Sequence, residues 1–490
     1  AHDDNGADWR FSFVKIEHEA YMDNKGKVKL RQELTPAKRY SYLVGMHENS
    51  HTASKQLLPL VEKDYADPYI EDIENAFSID KVTDEFFDQL KALFQKIAEH
   101  LKKQRFFQKD SEEETDKAVS RFAKKLLGQI VFLYFLQKKG WLGVPRGKRW
   151  GEGSRAFLRK RYEQVTQLGG KYYQDFLQYL FYEALAVERK DQTEPGYYDR
   201  FQCRIPFLNG GLFEADYDWQ KIVIDLPNKL FHNEEPSRAD GKGTGILDVF
   251  DRYNFTIKED EPLEKEVAVD PEMLGKVFEN MLEVTERKSK GAFYTPREIV
   301  HYMCQESLIH YLNISLNDYT ETYQPFGSSQ DNLFDGSSTK GGQLKLETQH
   351  RLGVRVPRED LNTLIRKGHL ALENDTQVLA KGRETPDYKF KLPLPVREHA
   401  KKIDKALADI KVCDPAIGSG AFPVGLLNEI VNARQALAQH SGNKQSAYEL
   451  KRHAIAECIY GVDIDASAID IARLRLWLSL IVDEEDYDTI

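Results

Sequence analysis

The sequence predicts an α/β fold in its C-terminal part, preceded by a mainly helical region. Near residue 412, and again near residue 459, a short run of alternating apolar residues leads through an acidic turn into an apolar helical pattern. This strand–turn–helix order is typical of α/β proteins. Between residues 87 and 187, apolar side chains instead recur at helical spacing in three separate stretches, which predicts packed helices.

Length and composition limit the class of protein. The chain has 490 residues, of which 41% are hydrophobic and 30% charged, a balance typical of globular proteins. We therefore expect roughly two to four domains. No signal peptide or bilayer-length apolar run is visible, and the four cysteines are widely spaced, which indicates a reduced, cytoplasmic protein without membrane contact or a metal site. The first residue is Ala1 and Ile490 closely follows an apolar helical pattern, so we interpret the chain as part of a longer polypeptide.

The N-terminal half divides into two predicted segments. Residues 1–50 contain an alternating stretch, Trp9–Glu17, and a turn signal, Asn24–Lys27, and are interpreted as the tail of an upstream β-containing domain. Residues 51–285 are predicted as a mainly helical connector domain. Its apolar stripes begin near Phe87, Val119 and Tyr173, and the second is apolar enough to form a core helix.

A basic strip runs from Lys138 to Arg161. It contains nine basic residues and one acid, with Trp141, Trp150 and Phe157 interleaved. Two interpretations remain open for this strip. It could contact nucleic-acid phosphates, although the net charge of −10 argues weakly against nucleic acid, or it could be a solvated face of loop and helix.

The central motif is the string from Val412 to Phe422. An acid, a proline and two glycines lie where a predicted strand turns into a helix, and glycine there permits positive φ and close approach of a ligand to the backbone. A phosphate-binding P-loop would need Lys after Gly420, and a dinucleotide fingerprint would need glycine in place of Pro423. The turn therefore predicts a small polar ligand without phosphates.

The stretch Asp414–Phe422 closely resembles motif I of N6-adenine DNA methyltransferases, which bind S-adenosylmethionine (SAM). A second string, Gly291–Glu298, resembles motif X of the same enzymes. There, Thr295 and Glu298 have capping-box spacing, and the open helix start could also receive the methionine carboxylate of SAM.

A third string, Ile459–Asp465, resembles motif II. A carboxylate at this strand end, Asp463, can accept both ribose hydroxyls of an adenosine, whereas a helix cap would be served better by Asp465 or Ser467. Because Asp463 would face an open pocket, its replacement is expected to change the stability little. The three resemblances imply a set of SAM-binding residues: Phe293, Tyr294, Thr295, Asp414, Pro415, Ala416, Gly418, Gly420, Asp463 and Ile464.

The order of motifs X, I and II matches the gamma arrangement of adenine methyltransferases. The resemblance implies that residues 286–490 form the N-terminal part of a Rossmann-like SAM-dependent methyltransferase domain with an incomplete sheet. Residues 320–395 would be an insertion with only a short helix near Leu361–Leu370. The helical block resembles the connector of type IIG enzymes, so the full polypeptide is expected to methylate adenine N6 in double-stranded DNA and to carry an endonuclease.

The chain departs from this family at the catalytic motif. No Asn-Pro-Pro or Asp-Pro-Pro occurs in the 490 residues, so we assign no catalytic residue. The alternatives are a stand-alone phage-defence methyltransferase, a non-catalytic SAM-binding scaffold, and a methyltransferase acting on RNA or protein. The last helix, with Leu474, Trp477, Leu478 and Ile481, is predicted to face the incomplete sheet and to leave an exposed apolar patch.

Overall fold

The computed structural model divides into two compact units. The first contains Ala1–Pro296, Cys413–Val424 and Tyr460–Ile490, and the second contains Arg297–Val412 and Gly425–Ile459. The structure describes residues 8–15, 19–22, 28–31, 38–45, 48–62, 69–189, 194–208, 212–237, 241–256, 264–271, 273, 275, 295, 297–317, 356–383 and 390–483.

Strands and helices are numbered separately along the chain. The strands are β1 (Asp8–Lys15), β2 (Glu19–Met22), β3 (Val28–Arg31), β4 (Lys38–Gly45), β5 (Tyr197–Tyr198), β6 (Cys203–Arg204), β7 (Pro236–Ser237), β8 (Gly241–Lys242), β9 (Glu264–Glu266), β10 (Val412–Asp414) and β11 (Ile459–Gly461). The helices are α1 (His51–Glu62), α2 (Ile70–Ala76), α3 (Ile79–Leu101), α4 (Glu112–Lys138), α5 (Phe157–Gln167), α6 (Ile246–Phe250), α7 (Arg297–Asn317), α8 (Arg358–Lys381), α9 (Leu394–Glu398), α10 (Ala400–Asp409), α11 (Ala421–Ser441), α12 (Ala447–His453) and α13 (Ala466–Asp483). None of the described helices is long and apolar enough to cross a bilayer.

The N-terminal strands form a small sheet in the first unit. Strand β1 pairs antiparallel with β4, which confirms the strand predicted from Trp9 onward, and β9 pairs parallel with the other edge of β4. Strands β2 and β3 form a separate antiparallel ribbon, and the predicted turn at 24–27 between them lies outside the described residues. Strand β9 comes from the segment predicted as mainly helical, so the sheet joins residues that are more than 200 positions apart.

Two long helices supply much of the core of the first unit. Helix α3 buries the stripe predicted from residue 87 onward, and Leu90 and Ile97 are almost fully enclosed. Helix α4 is buried around nearly its whole circumference from Leu126 to Gln137, which confirms the predicted core helix. Its first turn is capped by the Ser111 hydroxyl, which accepts a hydrogen bond from the Glu114 amide at 3.1 Å.

The third apolar stripe is helical but more widely wound than a regular α-helix. Two π-helical segments, Tyr173–Leu177 and Leu180–Leu185, replace the α-helix that the spacing predicts. Their aromatic side chains are buried, and the Tyr172 and Phe176 rings stack with centroids 5.3 Å apart. Apolar periodicity cannot separate these two kinds of helix over so few turns, so the sequence indicated the helix and not its winding.

Helix α13 packs against α4, which contradicts the predicted exposed patch. Leu474, Leu478 and Ile481 are each 1% exposed and belong to the same apolar cluster as the helices of the N-terminal region. The prediction of an exposed patch was wrong because it considered only the strands near α13 in the sequence as packing partners. Helix α4, from a distant part of the sequence, presents the apolar face that covers these residues. We therefore expect no dye-binding patch from these residues.

The second unit is helical in its described part, apart from the ends of β10 and β11. Within it, α7 and α11 approach closely at Gly425, where a Cβ atom would lie 2.8 Å from a Val300 methyl group. The chain turns after α11 at Gly442, which has φ of +76°. Helix α8 has 24 residues, so the prediction of only a short helix at 361–370 was wrong. The segment has few apolar residues, so the sequence pattern did not indicate the full length of the helix. Ala371 and Asn374 in its second half are nevertheless buried.

Candidate functional site

The turn between β10 and α11 has the backbone that its glycines predict. Gly418 has φ of +52° and Gly420 has φ of +85°, in the left-handed region that residues with a Cβ avoid. The Gly420 amide donates to the Ile417 carbonyl at 2.9 Å and closes the turn. We call residues Asp414–Gly420 the glycine turn.

Backbone hydrogen bonds join the glycine turn to the segment after β11. The Val462 amide donates to the Asp414 carbonyl at 2.9 Å, and the Ile417 amide donates to the Val462 carbonyl at 3.0 Å. Val462 thus bonds to both ends of the segment Asp414–Ile417, which holds the residue before Asp463 against the glycine turn. Asp414 is the last residue of β10 and Asp463 comes two residues after β11, so the two acids lie at the ends of neighbouring strands.

Asp463 is bound to the glycine turn. Its Oδ2 atom accepts a hydrogen bond from the Gly418 amide at 2.8 Å, and its Oδ1 atom accepts one from the Asp465 amide, also at 2.8 Å. Helix α13 begins at Ala466, and the Asp465 carbonyl accepts its first backbone bonds from Ala468 and Ile469. The residue at the start of that helix is Asp465, so Asp463 does not have the helix-capping role that was its alternative interpretation.

Asp414 has one carboxylate oxygen engaged and one available. Its Oδ1 atom accepts a hydrogen bond from the Ala416 amide at 3.0 Å. Its Oδ2 atom is buried, and among the described residues it has no hydrogen-bond partner. A buried carboxylate oxygen without a donor is costly, so this geometry suits a ligand that brings a positively charged or hydrogen-bonding group.

The other predicted site residues are distributed around the glycine turn or lie elsewhere. Pro415 and Ala416 are exposed, and Ile464 presents an aliphatic side chain that is 84% exposed. Thr295 is half-buried just before α7, and the described hydrogen bonds do not link it to the glycine turn. Phe293 and Tyr294 lie outside the described residues.

Contacts behind the glycine turn involve residues that the sequence interpretation did not select. Arg475 of α13 is 3% exposed, and its Nη1 atom donates to the Ser419 carbonyl at 3.2 Å. Ser419 is also buried, and a Cβ atom on Gly275 would lie 2.8 Å from its Oγ atom. One sequence signal was present, because Arg475 lies at helical spacing from the apolar residues Ile471 and Leu478 and therefore faces the interior.

The basic strip does not present the aromatic residues that stacking would require. Trp141, Trp150 and Phe157 are buried in the core of the first unit. Within the strip, Arg159 is held by two carboxylates, Asp248 at 2.9 Å and Asp251 at 2.7 Å. The cations that remain exposed are Arg146, Lys148, Arg149, Arg155 and Lys160.

Comparison with known proteins finds one curated relative and one solved structure that are similar to this chain. No protein-family model matches the chain. A protein of Methanocaldococcus jannaschii, whose name assigns it to the type II restriction enzymes and methyltransferases, is 28% identical over 371 residues, which cover 74% of this chain. The chain spans only 25% of the length of that relative. The solved structure of the type IIL restriction–modification enzyme MmeI in complex with DNA aligns with 81% of this chain and 36% of its own, at 13% identity and a TM-score of 0.37, from which we draw no conclusion.

Proposed function

We propose that this chain is part of a restriction–modification enzyme that methylates adenine N6 in double-stranded DNA, and that it supplies part of the SAM pocket. One observation carries the proposal. The buried, unpartnered Oδ2 atom of Asp414 lies in a glycine turn that is hydrogen-bonded to a second acid, Asp463. The similarity to a named restriction enzyme and methyltransferase supports the same assignment.

The residues present fit SAM by their chemistry. Asp414 offers a carboxylate oxygen to the cofactor's ammonium group, and such charge-assisted hydrogen bonds are strong. Asp463 can accept ribose hydroxyls, because each of its oxygens has a lone pair beyond the one that binds a backbone amide. The exposed side chain of Ile464 provides apolar surface for the adenine ring. Bound SAM would supply the methyl group.

We also assign the motif X residue Thr295 to the proposed pocket. Thr295 lies just before α7, and an open helix start attracts an anionic group such as the methionine carboxylate. Phe293 and Tyr294 are assigned to the pocket by their resemblance to motif X alone. The gamma order of the three motifs and the helical connector favour a type IIG-like enzyme with a fused endonuclease.

Calorimetric titration with SAM tests the cofactor assignment. We expect the chain to bind SAM and Asp414→Asn to weaken binding, because the amide keeps the shape of the carboxylate but loses its charge. The matched control is Asp404→Asn in α10, a carboxylate that pairs with Arg434 in the second unit. Equal affinity of Asp414→Asn and the wild type, or no binding by the wild type, would contradict the proposal.

Methylation assays test the substrate. Because the chain contains no Asn-Pro-Pro-Tyr motif, labelled SAM and DNA should give only background counts with these 490 residues. A longer protein that contains both this chain and that motif should transfer the methyl group to adenine N6. Transfer to RNA or protein would redirect the assignment, and SAM binding without any transfer by the longer protein would favour the scaffold alternative.

A further inference from the structure

A buried arginine lies behind the glycine turn and contacts its backbone. We propose that Arg475 is a positioning residue for SAM, which fixes the Ser419–Gly420 peptide so that the glycine turn keeps the conformation that receives the cofactor. This inference rests on the proposed function, because it concerns the same pocket. It assigns a role to a residue that lies outside all three motifs and that contacts the motif I turn from α13.

The two polar atoms of the Ser419–Gly420 peptide are each held by a different partner. Its carbonyl oxygen accepts from Arg475 Nη1 at 3.2 Å, and its amide donates to the Ile417 carbonyl at 2.9 Å. A peptide group is planar, so holding its oxygen and its N–H fixes the orientation of the whole plane. That orientation determines the positive φ of Gly420 and the direction in which the chain enters α11.

The surrounding atoms leave little space for the turn to adopt another conformation. A Cβ atom on Gly275 would lie 2.8 Å from Ser419 Oγ and 3.0 Å from Arg475 Nη1. On the other side, a Cβ atom on Gly420 would lie 3.0 Å from the Ala472 Cβ atom. Ala472 and Arg475 are three positions apart on α13 and therefore lie on one face of it. The segment at Gly275, the glycine turn and α13 thus meet around the Ser419–Gly420 peptide.

A loss of packing alone would not give the same result as a loss of positioning. A buried guanidinium needs hydrogen-bond partners wherever it lies, so its removal from any site lowers stability. Arg434 of the second unit provides the matched control, because it is 4% exposed and its Nε atom donates to Asp404 Oδ1 at 2.8 Å. Only the arginine at the glycine turn should also alter cofactor affinity and the local mobility of that turn.

The experiment compares Arg475→Met, Arg475→Lys and Gly275→Ala with Arg434→Met. SAM dissociation constants are measured by calorimetry well below the melting temperature, and hydrogen exchange of the amides at 417–420 is measured without ligand. Arg475→Met should weaken SAM by up to ~10-fold, because the turn loses a charge-assisted hydrogen bond and SAM binding must then reorder it, and should accelerate exchange at those amides. Arg475→Lys should show smaller changes in SAM affinity and in amide exchange than Arg475→Met, because lysine can still donate to the Ser419 carbonyl. Arg434→Met should lower the melting temperature but should change neither SAM affinity nor amide exchange at 417–420.

Each outcome supports or overturns the inference. Wild-type affinity and exchange in Arg475→Met, or equal changes in Arg434→Met, would overturn it. If Arg475→Met does not fold, Gly275→Ala decides. Its new methyl group would lie 2.8 Å from Ser419 Oγ and 3.0 Å from Arg475 Nη1, so it should disturb the contact between these two residues and weaken SAM. Unchanged affinity there overturns the inference. If the wild type itself binds no SAM, the proposed function fails, and the exchange rates alone decide whether Arg475 positions the turn.

Discussion

Asp463 Oδ2 accepts the Gly418 amide at 2.8 Å, so the acid assigned to the cofactor ribose also holds the glycine turn. Its other oxygen holds the Asp465 amide. The expectation that replacing Asp463 would change the stability little assumed that the carboxylate faces only an open pocket. The two backbone hydrogen bonds contradict that assumption.

Asp463→Ala should therefore reduce both stability and SAM affinity. Hydrogen bonds to a charged group contribute roughly 1.5–3 kcal/mol each, so we expect SAM to bind ~10- to 100-fold more weakly and the free energy of unfolding to fall by more than about 1 kcal/mol. Calorimetric titration and denaturant unfolding measure the two effects. The control is Ser111→Ala, which removes the cap of α4 at a cost of about 1 kcal/mol and should leave SAM binding intact. Unchanged SAM affinity in Asp463→Ala would remove the ribose assignment.

Gly420→Ala should be more destabilising than its backbone conformation alone requires. A Cβ atom in the left-handed region costs roughly 1–2 kcal/mol, and at Gly420 it would also meet Ala472 at 3.0 Å. Gly169 has a similar φ of +73°, and a Cβ atom there would have no described atom within 4 Å, so Gly169→Ala reports the backbone cost alone. Urea unfolding of both variants should show the larger loss at Gly420. Equal losses of unfolding free energy in the two variants would show that α13 moves to accommodate the new methyl group.

Acid should weaken the first unit through Glu85 of α3. Burial alone raises the pKa of Glu85, but His51 at 3.8 Å and Lys55 at 2.8 Å outweigh this and lower the pKa from 4.5 to about 2. The lowered pKa stabilises the folded state above pH 4.5, and this contribution is lost as the pH falls through about 2. It amounts to at most about 3 kcal/mol, because solvent screens the exposed part of these ion pairs. Glu85→Gln should flatten the dependence of the unfolding free energy on pH between these values, and parallel curves for variant and wild type would contradict the assignment.

The basic strip should separate into structural and exposed cations. Arg159→Met should lower the free energy of unfolding by something on the order of 3 kcal/mol, because it leaves Asp248 and Asp251 without their shared partner. Arg149→Gln should leave stability unchanged, because that side chain is exposed. If the strip contacts DNA phosphates, Arg149→Gln should also lower the slope of log K against log salt by about 0.9. An unaltered slope would favour the solvated-face interpretation.

Local sequence patterns predicted the individual helices and turns of this protein better than they predicted which elements pack against each other. The positive φ values of Gly418 and Gly420 and the burial of α4 follow from residue types and spacing. The packing of α13 on α4 could not be predicted, because periodicity identifies an apolar face without identifying the surface it contacts. The same limitation applies to the site, where the acids were identified but the arginine that contacts the turn from a distant helix was not.

The burial of α13 has a consequence for synthesis of the protein. The apolar cluster that begins with Tyr42 and includes Phe86 and Leu127 is completed by Ile471, Leu474 and Ile481. Between Met273 and Ile471 the ribosome must add about 200 residues, which at about 5–20 residues per second takes about 10–40 s. During that interval the nascent N-terminal region presents an apolar groove on α4 that is filled only when α13 emerges. Chaperone binding should therefore persist on the nascent chain until α13 has left the exit tunnel.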